Sequence, residues 1–171
     1  MLGVVILIFV ILGTQDKTFP RLIEKIENQI KKKNIKEEVI VQAGQTKYES
    51  DLVKVMDFVD VDEFNKLIDE SSFIITHSGV GSILTALEKG KSIIAVPRLK
   101  KYGEHVNDHQ LQILENFAEN KYVIPVKDLE NEKELEEALK KVKTFKPNKF
   151  KSNKESFLDS LREEINKEFI S

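Results

Sequence analysis

Residues 76–82 read Thr-His-Ser-Gly-Val-Gly-Ser. The four residues Phe73–Thr76 before the turn are apolar or β-branched, and an apolar pattern at helical spacing (Ile83, Leu84, Leu87) follows as far as Gly90. This is strand, tight turn, helix. In that arrangement the backbone N–H groups of Ser78 to Ser82 sit at a helix N-terminus, where unpaired donors and the helix dipole favour an anion such as a phosphate. Gly79 and Gly81 let the backbone approach a ligand closely. An ordinary strand-to-helix turn that binds nothing has the same local sequence.

Two further stretches carry groups suited to ligand chemistry. Gly13-Thr14-Gln15-Asp16 lies between an apolar run and an amphipathic pattern (Phe19, Leu22, Ile23, Ile26, Ile30), so a second strand end meets a second helix start, and a capped turn without ligand again competes. The polar stretch from Arg98 to Gln110 follows an apolar strand that ends at Pro97. In a parallel sheet all three would leave the same carboxyl-end edge, where ligands bind. The chain's three histidines, His77, His105 and His109, fall in or beside these loops, at spacings that match no common zinc pattern. Asp60-Val61-Asp62 has the form of a divalent-metal motif. Capping is favoured there, with Asp62 at the N-cap of a helix, because acids in a first turn complement the dipole.

The elements that must position these groups follow from periodicity. Strands are expected at Val4–Leu12, Glu38–Ala43, Val53–Val59, Phe73–Thr76, Ser92–Val96 and Tyr122–Val126. Helices are expected after Asp16, over Val61–Ile68, from Ile83 to Gly90, over Asn107–Glu119 and over Glu130–Val142. Thr18 or Asp16 can cap the first helix, with Pro20 in its first turn. Strict alternation of strand and helix argues for an α/β fold, a parallel sheet with helices on both faces.

With 171 residues, 40% hydrophobic and 33% charged, the chain suits a single domain over 1–171 with a real core at about 7–142. The net charge of −2 gives no strongly basic face for nucleic acid. The absence of cysteine excludes disulfides and thiolate metal sites and fits a reducing cytosol. The apolar N-terminus reaches only about 18 Å as a helix, against a hydrocarbon core of about 30 Å, and its β-branched content fits a buried strand instead. Seven lysines and no acid occupy 140–154, either a solvated linker (143–154) or a patch for anionic lipid. Phe157, Leu158, Leu161, Ile165 and Phe169 mark a C-terminal amphipathic helix over 155–170.

The motif at 76–82, with Gly90, Pro97 and Asp108-His109-Gln110 downstream, resembles the donor-binding half of GT-B glycosyltransferases, the glycosyltransferase family 28 C-terminal domain. Within that group it is similar to the family of the bacterial lipid II-forming N-acetylglucosaminyltransferase and the Alg13 type of subunit. Residues 96–110 (Val-Pro-Arg-Leu-Lys-Lys-Tyr-Gly-Glu-His-Val-Asn-Asp-His-Gln) look like the PssE or EpsF type of exopolysaccharide glycosyltransferase subunit. The similarity runs from Phe9 to about Val142.

The resemblance implies a Rossmann-like, GT-B C-terminal fold that binds a UDP-sugar as substrate, without cofactor or metal. Gly13, Thr14 and Gln15 match the first phosphate-side loop; Ser78, Gly79, Gly81 and Ser82 match the second. His77 would lie beside the phosphates, and His109 and Gln110 match residues that read hydroxyls of the donor sugar. Thr85 stands where many relatives place a ribose-binding glutamate. A whole GT-B enzyme needs an acceptor domain, so the resemblance implies an Alg14-like or PssD-like membrane-anchored partner, a polyprenyl-linked acceptor, and action at the cytoplasmic membrane face in capsular or exopolysaccharide synthesis. A homo-oligomer is a further expectation. Inversion at the anomeric centre needs a general base, and Glu104, His105 or a partner residue is the candidate. The competing reading is a non-catalytic nucleotide-binding subunit that stabilises its partner.

Overall fold

The computed structural model describes residues 6–150, 155, 156, 158, 159 and 161–163. It contains β1 (Leu7–Ile11), α1 (Pro20–Lys31), β2 (Glu38–Gln42), β3 (Lys54–Met56), α2 (Val61–Glu70) and β4 (Ser71–His77). These are followed by α3 (Val80–Glu88), β5 (Ile93–Val96), a 3-10 turn at Lys100–Tyr102, α4 (His109–Glu119), β6 (Ile124–Pro125) and α5 (Glu132–Lys141). The strand order is β3-β2-β1-β4-β5-β6, and every neighbouring pair is parallel. This is the doubly wound arrangement, whose order reverses between β1 and β4.

β1 shows why its sequence is apolar without alternation. Ile8, Val10 and Leu12 enter one core with Leu22, Ile23 and Ile26 of α1 and Leu135, Ala138 and Leu139 of α5. Leu7, Phe9 and Ile11 enter the other, with Leu67 and Ile68 of α2, Ile83 and Leu87 of α3, and Leu114 and Phe117 of α4. Helices on both faces leave no wet side for a polar residue. Each fully buried aliphatic or aromatic side chain contributes about 1.5–3 kcal/mol, which is why the strand at the centre carries the densest apolar run.

Several boundaries differ from the periodicity. β3 ends at Met56, three residues short of Val59, and leaves Phe58 half exposed in a loop. The cap of α2 is Asp60, whose carboxylate accepts from the Glu63 N–H at 2.8 Å, and Asp62 falls in the first turn instead. Neither Thr18 nor Asp16 caps α1; its N-cap is Phe19, whose N–H donates to the Thr46 hydroxyl at 2.9 Å. Long-range packing here replaces a local cap. Residues 155, 156, 158, 159 and 161–163 are helical where described, and Leu161 is buried in the second core. The remainder of the expected C-terminal helix, the start of the N-terminal apolar run and Lys151 and Lys154 lie outside the described residues. Among the described residues no helix is long and apolar enough to cross a membrane.

Candidate functional site

Register brings the turns together. Ile11 at the end of β1 pairs with Thr76 of β4 on one side and with Gln42 of β2 on the other. The loops that follow β1 and β4 therefore rise side by side at the point where strand order reverses. Between them opens a cleft of ≈ 680 Å³. One wall is Gly13, Thr14 and Gln15; the opposite wall is His77, Gly79, Gly81, Ser82 and Thr85 at the head of α3. Of the residues singled out in sequence, these eight are brought together.

The head of α3 presents unpaired backbone donors, an arrangement suited to an anion. Gly79 is its N-cap and offers no side-chain acceptor, and the first intrahelical bond is Ile83 N–H to Gly79 O at 3.2 Å. The N–H groups of Val80, Gly81 and Ser82 precede that bond and have no intrahelical partner. An anion at such a terminus gains about 0.3–1 kcal/mol from the dipole, and up to about 2 in partly buried geometry.

His77 forms the floor. It is 6% exposed, and burial together with the Arg98 charge pushes it down to about 3. The imidazole is neutral at any working pH. Its ring fills the space between two glycines: a Cβ placed on either Gly13 or Gly79 would stand 2.6 Å from Nε2. Ser78 Oγ, fully buried, and Gln42 Oε1, on the cleft wall, have no hydrogen-bond partner among the described residues. A buried polar atom without a partner calls for a physical explanation, and a bound ligand or water in the cleft would supply one for Gln42.

The rest of the expected set sits elsewhere. Glu104 is 2% exposed, binds Arg21 through both oxygens (2.9 and 3.0 Å) and accepts from the Leu99 N–H. It borders a separate cavity of ≈ 530 Å³ with Arg21 and Tyr102. A carboxylate so committed is a strut, not a free base. His105 accepts from the Asn107 N–H through Nδ1, and burial followed by the Arg98 charge lowers its pKa. His109 opens α4, partly exposed, with its N–H on Asn107 Oδ1. Gln110 is 3% exposed and lies behind His77, with both ends of its amide bonded inside the protein. Thr85 donates to Gly81 O at 2.9 Å, a bond back to its own helix.

Sequence reasoning missed one wall of the cleft. Val59, Val61, Phe64 and Asn65 line it beside Gln42, and Val61 is 74% exposed. The signal lies in Phe58, Val59 and Val61, apolar residues at a third carboxyl-end turn, of which the expected strand takes in the first two and the expected helix the third. An exposed apolar wall opposite an anion seat suits a flat ring attached to phosphates.

The His77 environment sets a pH dependence. The unfolded chain takes up a proton near pH 6.5 that the folded chain refuses, so stability is complete above that pH and falls below it. From pH 7 to pH 5 the His77 share of the loss is expected to be about 2 kcal/mol. Urea unfolding of the chain and of His77→Gln at both pH values checks it, since the variant should lose less by that amount.

Residues 7–168 match the family described as Glycosyltransferase family 28 C-terminal domain. Over 80 residues the chain is 31% identical to the UDP-N-acetylglucosamine transferase subunit ALG13 of Candida albicans (strain SC5314 / ATCC MYA-2876), covering 46% of this chain and 26% of that protein. The NMR solution structure of ALG13 has TM-score 0.58 and 23% identity, covering 91% of this chain and 94% of that one. The glycotransferase of kitacinnamycin has TM-score 0.59 and 17% identity, covering 84% and 36%. The chain thus spans about a quarter of the curated relative and about a third of the kitacinnamycin enzyme. These structural likenesses speak for the fold, the Rossmann-like C-terminal half of a GT-B glycosyltransferase.

Proposed function

Because the chain belongs to the glycosyltransferase family 28 C-terminal domain family, we propose that it is the donor-binding subunit of a sugar transferase that uses a UDP-sugar. The observation that carries this reading is the convergence of two glycine-bearing turns, a helix N-terminus and a neutral buried histidine on one cleft. The diphosphate would lie across Gly13–Gln15 and the first turn of α3, and the base against Val59, Val61 and Phe64.

In transfer, an acceptor hydroxyl attacks the anomeric carbon while the bond from that carbon to the diphosphate oxygen breaks. Charge grows on the diphosphate, where preorganised donors act most strongly. The Val80–Ser82 N–H groups and the His77 Nε2 edge serve that role without a metal ion. Inversion follows from attack opposite the leaving group. Among the described residues the cleft lining includes no carboxylate and no histidine besides His77, which supports a general base supplied from outside the cleft; in this reading it belongs to a second, membrane-anchored subunit that presents a lipid-linked acceptor for capsular or exopolysaccharide synthesis. The same observation supports, as the competing reading, a subunit that only holds nucleotide for its partner.

Calorimetric titration of UDP, UDP-glucose, UDP-galactose and UDP-N-acetylglucosamine into the chain, with and without EDTA, tests the site. Saturable binding of UDP that chelation leaves unchanged is expected. No binding would remove the donor-site reading, and binding lost with EDTA would return Asp60 and Asp62 to consideration as metal ligands.

A further inference from the structure

We propose that Gln110 is a positioning residue that fixes the tautomer of His77, holding its proton on Nε2 so that the cleft floor presents an N–H donor. The inference rests on the reading of the cleft as a diphosphate site. The orientation of the amide follows from its partners. The backbone N–H of Arg98 has only a proton to offer, and it meets Oε1 of Gln110 at 3.1 Å. The other end of the amide, Nε2, is therefore a donor, and it meets Nδ1 of His77 at 3.0 Å. A donor facing Nδ1 requires a lone pair there, and in a neutral imidazole the single proton then belongs to Nε2. His77 is buried and neutral, so both conditions hold.

Nε2 is the edge that faces Gly13 and Gly79, and the ring lines the cleft. The two glycines leave room for the ring that a Cβ on either would take up. The opposite tautomer would place a lone pair toward the same spot, where a phosphate oxygen would be repelled. A chain of fixed groups thus runs from the main chain at Arg98, through Gln110, to a donor aimed at the ligand. This departs from the role implied by the family motif, in which the glutamine would touch the sugar. Here the amide has neither end free, and it acts through His77.

Three histidines make the test tractable by long-range 15N–1H NMR of the imidazole rings, with the His77 signals identified by their loss in His77→Gln. The wild-type chain at pH 7 is expected to show His77 protonated on Nε2 and not on Nδ1. In Gln110→Glu a carboxylate replaces the donor and draws a proton to Nδ1. The ring should become Nδ1-protonated with Nε2 stripped of its proton, and UDP affinity should fall about tenfold or more. Gln110→Met, of similar shape and without polar atoms, should give mixed tautomers and a smaller loss. A purely structural glutamine would change unfolding midpoints and leave the ring spectrum alone. A wild-type His77 carrying its proton on Nδ1, or variants that keep the wild-type tautomer, would overturn the proposal. An Nε2-protonated His77 in a chain that binds no UDP removes the diphosphate reading alone, since the ring signature is read without ligand.

Discussion

A Gly13→Ala chain is expected to lose about 3 kcal/mol of stability and about tenfold or more in UDP affinity. Two separate costs meet at this residue. Its φ of 89° lies in the region that side chains bearing a Cβ avoid, worth about 1–3 kcal/mol. The added methyl also meets the His77 ring, with Nε2 at 2.6 Å, and overpacking of this kind costs about 1–3 kcal/mol. The ring has no retreat, being buried and bonded to Gln110. Gly81 supplies the contrast. A Cβ there meets nothing within 4 Å, and alanine is the better helix former in the first turn of α3 by up to about 1 kcal/mol. Gly81→Ala should fold as well as the parent and lose UDP affinity alone, because its methyl enters the ligand's space. Urea unfolding and UDP titration of both variants separate the effects. Equal stability of Gly13→Ala and the parent would show that His77 is not packed between the two glycines.

Arg98→Met is expected to cost about 3–5 kcal/mol, the range for stranding buried partners of a charge. Arg98 is 1% exposed, and its guanidinium donates to Leu12 O through Nε at 3.0 Å and through Nη2. Nη1 donates to Lys17 O at 2.7 Å and Glu104 O at 3.1 Å, and the group lies 5.3 Å over the Phe19 ring. Burial lowers its pKa to about 10, still charged at neutral pH. Replacing both members of a buried ion pair by apolar groups is often harmless. Here the partners are main-chain carbonyls that remain when the arginine goes. They belong to the loop after β1 and the loop after β5, so the variant should loosen the Gly13–Gln15 wall and weaken UDP binding as well. Arg98→Lys keeps the charge without the planar fork and should recover less than half of the stability. A change below about 1 kcal/mol in Arg98→Met would show that the three carbonyls find other donors.

Both variants act on contacts that local sequence does not announce. Gly79 and Gly81 look alike as two glycines of one turn, yet one faces an imidazole ring and the other open space. Glu104 beside His105 resembles an acid and base pair. The fold brings Arg21, 83 residues away, onto the carboxylate and converts it into a tie between the start of α1 and the loop after β5. Phe58 and Val59 read as the end of a strand. β3 stops where its pairing with β2 stops, at Gln42 and Met56, and that leaves the following apolar residues free to form a cleft wall.

The sequence by itself determined the α/β class, the alternation of strand and helix, and the two turns that meet at the cleft. Those features are written in hydrophobic periodicity, glycine placement and the apolar run of β1, all properties of neighbouring residues. The tertiary structure alone decided which side chains line the cleft and in what state. His77 is neutral because the fold buries it beside Arg98, and Gln110 aims inward because strand order places it behind His77, 33 residues away in sequence. Desolvation and hydrogen-bond partnership depend on what the sheet register sets side by side, and register is settled only when the whole chain packs.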